Sequence, residues 1–277
     1  MTTHTAERAA VARRVLVKPV SFPRVLHSEW IKLWSLRSTY WTVFATLAVM
    51  VLIAVMLGVA SRVEDGPAGP DGQMAIGMGY TFAQVVVAVL GVLTITGEYT
   101  TGMIRSTLAS VPNRVPALMA KAVLVGVVGF VLGAAGVAVS YLVSYPLLGA
   151  DGAADLSDPE VIRIFWGSGL YLAGVGLLGL ALGAIIRHTA GAITLILGVL
   201  LLLSTMWQLL MMTSDWFLKS YAYLPSVAGE RIASPEVANA VDDAPQALAP
   251  GTGFAVVPAY VVITFLIAIV LLRRRDA

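Results

Sequence analysis

The chain has no cysteine among its 277 residues, three histidines, and only 12% Asp, Glu, Lys and Arg. Zero cysteine removes disulfides, thiolate metal sites and cysteine nucleophiles together. The histidines, His4, His27 and His188, are scattered and no His-Glu-x-x-His occurs, so no convergent metal set is legible. No G-x-x-x-x-G-K-[ST] loop is present, nor any Gly-Lys dipeptide, which excludes nucleotide hydrolysis by that machinery within this polypeptide. An ordinary globular chain carries about 25% charged residues. The low share here, set against 58% hydrophobic residues and a mean hydropathy of +0.85, leaves little with which to solvate a water-soluble surface.

What is present is apolar length. Six runs, Tyr40–Ala60, Ile76–Thr96, Ala122–Leu148, Ile164–Ile186, Thr189–Met212 and Phe254–Leu272, are separated by connectors of alternating charge. Each run is about 19 to 27 residues long, and about 1.5 Å of rise per helical residue carries it across a hydrocarbon core of roughly 30 Å. Lipid offers no hydrogen bonds, so runs this continuous satisfy their own backbone as helices rather than as barrel strands. The expected fold is all-α: a polytopic membrane protein with six transmembrane helices. The longest connector, between Met212 and Phe254, is about 41 residues, below the usual size of a catalytic domain.

Sorting the basic residues by connector predicts orientation. Fourteen of the eighteen fall on the side of the two termini, and only Arg62, Arg163, Lys219 and Arg231 fall on the other, while twelve of the sixteen acids take that opposite side. By the positive-inside rule both termini are cytoplasmic and the location is the plasma membrane. Topology and anionic lipid account for the inner basic residues, so nucleic acid is not an expected partner. Residues 1–22 read as a disordered cytoplasmic tail, since Met1 to Val20 show no apolar periodicity. A first span preceded by about 40 residues does not match a cleavable signal peptide.

After Pro23, Arg24–Arg37 places Val25, Leu26, Trp30, Leu33, Trp34 and Leu36 on one helical arc, with Arg24, His27, Ser28, Lys32 and Ser35 opposite. Glu29 and Arg37 interrupt the pattern. The segment, with Trp30, Lys32 and Trp34 as anchors, reads as a helix in the inner membrane interface, or as a cytoplasmic helix packed on a partner. The second connector is the richest in signal. From Gly97 to Arg114, Met103, Ile104, Thr107, Leu108 and Val111 recur at helical spacing and Pro112 ends the run, which predicts a short amphipathic helix that needs a docking surface.

Gly129-x-x-x-Gly133 and Gly179-x-x-x-Gly183 permit close helix approach without specifying a partner. The outer connector opens with Trp216-Phe217-Leu218 and Tyr221-Ala222-Tyr223-Leu224-Pro225, too apolar for a solvated loop, and either dips into the outer leaflet as broken helical pieces or caps the bundle. Ion-coupled transport usually needs an ionisable side chain at mid-membrane. None stands there: Glu98 and Lys121 lie at the inner ends of the second and third spans, and only neutral groups such as Gln84 and Gln208 lie deeper.

The residues Glu98, Gly102, Arg105, Leu108, Pro112 and Lys121 around the second connector resemble the inner loop of type-2 ATP-binding-cassette (ABC) exporter permeases, in the short six-span bacterial form encoded beside a separate ATPase. Glu29-Trp30-Ile31-Lys32-Leu33 with Arg37-Ser38 is similar to that family's interfacial helix ahead of the first span. The resemblance covers nearly the whole chain, 23–277, in architecture and rests on degenerate motifs. It implies a coupling helix seated in a groove of an ABC ATPase, with Met103, Ile104 and Leu108 facing the groove, Arg105 at its rim, and Glu98 paired with Lys121 or with the partner. Arg187 and His188, in the tight fourth connector, become a secondary inner contact.

The implied activity is ATP-driven export of an amphipathic or hydrophobic substrate by a permease homodimer or heterodimer in lipid. The chain itself would be no enzyme and hold no cofactor, with ATP and Mg bound by the ATPase. Two other classes compete. A partner-independent secondary transporter or channel predicts inverted repeats or broken mid-membrane helices. An intramembrane enzyme predicts acids, histidines or serines converging at one depth, and no such cluster is legible.

Overall fold

The computed structural model describes residues 21–62, 71–103, 114–235 and 248–274. The tail read as disordered and the heart of the second connector lie outside them.

Helix α1, Phe22–Ser35, opens after an extended Ser21, with Pro23 in its first turn, where a proline's missing N–H costs nothing. It therefore begins inside the segment assigned to the tail. One extended residue, Leu36, separates it from α2, Arg37–Ala60. Next come α3, Gly72–Gly77, started by the Asp71 carboxylate accepting from the Met74 N–H at 2.7 Å, and α4, Tyr80–Thr100.

Helix α5, Arg114–Gly152, breaks at Gly149, where φ is 74°. Helix α6, Pro159–Ile186, starts on Asp158, which accepts from the Glu160 N–H at 2.8 Å, and stops at a left-handed Arg187. The fifth hydrophobic segment is α7, Thr189–Leu197, one π turn, Gly198–Leu202, and α8, Leu203–Met211. Two short helices follow, α9, Asp215–Tyr221, and α10, Pro225–Glu230, before α11, Pro250–Arg274.

Six of these stretches are long and apolar enough to cross a bilayer: Arg37–Ala60, Gly72–Thr100, Val115–Gly149, Pro159–Ile186, Thr189–Met211 and Pro250–Arg274. No strand occurs among the described residues. The protein is all-α and multi-pass, as its six apolar runs imply. Most helices extend beyond the runs because hydropathy marks only the lipid-like turns, while capped polar turns such as those at Asp158 and Lys121 continue the same helix.

Helix α6 is the centre. Its most apolar window is 67% buried, against 22% for α2 and 11% for the fifth span, so the latter two lie at the periphery. It packs on α4, α5, α7 and α11. Close approach to α4 depends on glycine: a Cβ on Gly91 would collide with the Gly176 carbonyl, and one on Gly179 with the Ala88 carbonyl. On the α5 side, a Cβ on Gly129 would stand 2.9 Å from the Ala173 Cα, and one on Gly133 would meet the Ser168 carbonyl. Both four-residue glycine pairs noted in the sequence thus serve helix packing within this chain.

Candidate functional site: a buried ion cluster joining α1, α4 and α5

Four charged side chains from three helices meet at the end of the bundle where α1 lies. Glu98 stands in the last turn of α4, and Lys121 about two turns into α5, on opposite sides of the second connector. Glu29 and Lys32 come from adjacent turns of α1. The buried stripe of α1 is Val25, Glu29 and Leu33, spaced four apart, while Trp30 remains 43% exposed. Glu29 thus sits in the apolar arc because it has partners there.

The contacts close a ring of alternating sign. Lys121 Nζ donates to Glu29 Oε2 at 2.5 Å and to Glu98 Oε1 at 2.8 Å. Lys32 Nζ donates to Glu29 Oε1 at 2.7 Å and to Glu98 Oε1 at 3.1 Å. Glu29, Glu98 and Lys121 are buried, while the Lys32 side chain is about one third exposed at 32%. Each charge faces two of opposite sign, which offsets the cost of withdrawing it from water. Burial alone would lower the Lys32 pKa, but the Glu29 hydrogen bond and the charges of Glu98 and Glu29 outweigh it and hold that ammonium above its ordinary range. Glu98 keeps one oxygen, Oε2, buried without a hydrogen-bond partner among the described residues.

The other residues singled out in the sequence surround this cluster. Gly102, at φ 72°, turns the chain off the end of α4 in a conformation that disfavours a side chain, and Met103 follows with 47% exposure. Ile104, Arg105 and Leu108 lie outside the described residues. Trp34 stacks obliquely on Trp30 at 5.5 Å and meets Tyr40 edge-on at 5.6 Å, with its indole N–H buried and unpaired among the described residues. The Arg187 guanidinium lies 5.4 Å from the ring centre of Tyr99, the neighbour of Glu98. His188 accepts the Gly191 N–H on Nδ1 at 3.2 Å and thereby starts α7, a capping role that the sequence did not suggest.

A second polar group lies within the bundle, and reading span by span missed its central member. No span carries an ionisable side chain at mid-length, but the connector after α8 brings one in. Tyr171 on α6 donates to Gln84 Oε1 of α4 at 2.5 Å, while the Gln84 amide nitrogen donates to the Thr81 carbonyl of its own helix at 2.9 Å; Glu230, at the end of α10, stands beside this pair and is partly exposed. The only sequence signal was Pro225 followed by small residues, which marks a helix start able to pack closely. The connector neither stays a solvated loop nor merely caps the bundle: Pro225, Ser226, Ala228 and Gly229 are buried against α6 and α11.

No protein-family model matches the chain, and no curated protein matches it at a significant level.

Proposed function

We propose that the chain is the membrane-spanning permease subunit of an ATP-driven ABC exporter, working with a separate ABC ATPase and a second permease copy or paralogue. The observation that carries this reading is the ion cluster. Glu98 and Lys121 flank the second connector and are both tied to α1, so a push on that connector reaches the bases of the second and third spans and the α1 helix together. A charge ring this buried behaves as one rigid joint, because any single displacement exposes an uncompensated charge. Met103, Ile104, Arg105 and Leu108 supply the docking surface in this reading, and Arg187 and His188 lie at the neighbouring turn. The ATPase binds ATP and Mg, the permease holds no cofactor, and both termini face the cytoplasm of a bacterial plasma membrane. The cargo is amphipathic or hydrophobic and passes between two permeases as the helices rock.

The test is co-purification with a candidate ABC ATPase, comparing wild type with a variant carrying Met103→Asp, Ile104→Asp and Leu108→Asp. Loss of assembly and of permease-dependent ATP hydrolysis is expected. Undiminished assembly and hydrolysis would refute the docking surface.

One observation favours a second reading, a transporter that needs no ATPase: Glu230 supplies the ionisable group that the spans themselves lack. Flux through proteoliposomes of the purified chain, without nucleotide, would decide for it.

A further inference from the structure

The fifth span consists of two half-helices with unlike anchorage. In α7, Ala192 and Ile196 are fully buried, and Leu200, four residues on in the π turn, is 2% exposed, so one stripe fastens this half to α4 and α6. The stripe stops there. None of the nine residues of α8 is buried, nor is any residue of α9. Helix α8 packs chiefly on α9 and on the π turn.

The cause lies in the turn between the two halves. The Leu203 N–H reaches back five residues to the Gly198 carbonyl, so the turn is wider than an α turn and shifts the face that follows. A wider turn strands backbone carbonyls, which lipid cannot solvate. Two hydroxyls cover them: Ser204 Oγ donates to the Leu200 and Leu201 carbonyls at 3.2 and 3.0 Å, and Thr205 Oγ1 donates to the Leu201 carbonyl at 2.9 Å. Side-chain donors of this kind bend a helix and follow a carbonyl as it tilts, which keeps the turn satisfied through a change of angle. Gly198 begins the turn, although a Cβ there would meet nothing within 4 Å. Close packing does not require this glycine, so its effect is to loosen the backbone.

Beyond the turn the chain is one stiff piece. Trp207 Nε1 donates to Ser220 Oγ at 2.9 Å and Gln208 Nε2 to the Tyr221 hydroxyl at 2.6 Å, while the Trp207 ring lies 5.9 Å from Trp216 and 5.3 Å from Phe217. These contacts tie α8 to α9. The chain is then fixed again. Ala222 and Leu224 are buried, and the Tyr223 carbonyl accepts from the Tyr260 hydroxyl of α11 at 3.3 Å. Pro225–Pro235 is seated on α6, whose Arg163 guanidinium binds the carbonyls of Arg231, Ile232 and Ser234 at 2.8, 3.1 and 3.0 Å. Both ends of the α8–α9 hairpin are held, and they are held close together, since α10 packs on the π turn. We propose that the π turn Gly198–Leu202 is a hinge on which Leu203–Tyr221 swings as one arm against the rest of the bundle. A change of about 20° over the roughly 13 Å of α8 moves its tip by about 5 Å. This device operates whether transport is driven by an ATPase or by an ion gradient.

The absence of cysteine allows spin labels to be placed in pairs. Ile162→Cys, exposed on the central helix α6, is combined with Met212→Cys at the tip of the arm, with Lys219→Cys on α9, or with Leu195→Cys on the fixed half α7. Distances are read by pulsed electron paramagnetic resonance on the full chain in lipid nanodiscs, diluted with unlabelled chain so that pairs within one copy dominate. The Leu195 pair should give one narrow distance. Both arm pairs should give a broader or double distribution, spread by about 5 Å at Met212. Gly198→Ala, which nothing obstructs, stiffens the helix and should narrow both. Arm distributions as narrow as that of the Leu195 pair would overturn the proposal. So would broadening at Met212 without Lys219, which is fraying of the tip, or widths that Gly198→Ala leaves unchanged, which put the pivot elsewhere.

Discussion

At the residue scale, the ion ring is decided by burial rather than by the number of its contacts. Lys121 is buried between two carboxylates, so Lys121→Met leaves Glu29 and Glu98 sharing only the partly exposed Lys32, with the buried side of the ring uncompensated. A loss of about 3–5 kcal/mol is expected, read as a lower midpoint of unfolding in detergent. Lys32 makes the same pair of contacts from a position 32% exposed, where water screens the charge. Lys32→Met should cost under about 1 kcal/mol. Equal costs for the two would mean that the ring is not organised around Lys121. Glu98 and Lys121 were legible in the sequence as charges at span ends. Glu29 was visible only as a flaw in an amphipathic pattern, because the cation that buries with it, Lys121, comes from a helix about 90 residues away. Gln84 was visible only as a neutral polar residue deep in a span, and its contact with Tyr171 was not, since that contact depends on the rotation of α4 about α6, which hydropathy does not encode.

At the element scale, the fold depends on how closely α4 and α6 approach. Gly91→Ala must push α4 off the Gly176 carbonyl, an overpacking that typically costs about 1–3 kcal/mol. Gly97, on the same helix, faces open space, so Gly97→Ala should be neutral or stabilising by up to about 1 kcal/mol through helix propensity. Thermal melts of the two variants check the contrast, and destabilisation by both would point to backbone flexibility in α4 instead of close packing. Helix positions followed readily from the apolar runs, because lipid forces the backbone to satisfy itself. The short helices α9 and α10 were legible only as one of two alternatives, broken helical pieces without bounds, since a helix of six or seven residues has neither the length of a span nor the periodicity of a surface helix. The glycine pairs were visible as spacing, but their partners were not, because close approach within a chain and between chains uses the same residues.

At the scale of the whole molecule, the bundle has two unlike ends. One gathers α1, the ion ring and the second connector, and the other holds the seated segment Pro225–Pro235. Reporter tags inserted after Pro112 and within residues 238–250 should map to opposite compartments in intact cells, with the first cytoplasmic. Finding both in one compartment would remove the basis for assigning the connector to an ATPase.

The proposed power stroke enters the molecule at the connector that begins with Gly102 and Met103. In this cysteine-free chain, Met103→Cys and, as the far-end control, Met212→Cys can each carry a maleimide–benzophenone probe in membranes that also contain a candidate ABC ATPase. A photoadduct with the ATPase from position 103 and none from position 212 is the predicted result. No adduct from 103, or equal adducts from both, would contradict the reading of this end as the docking end.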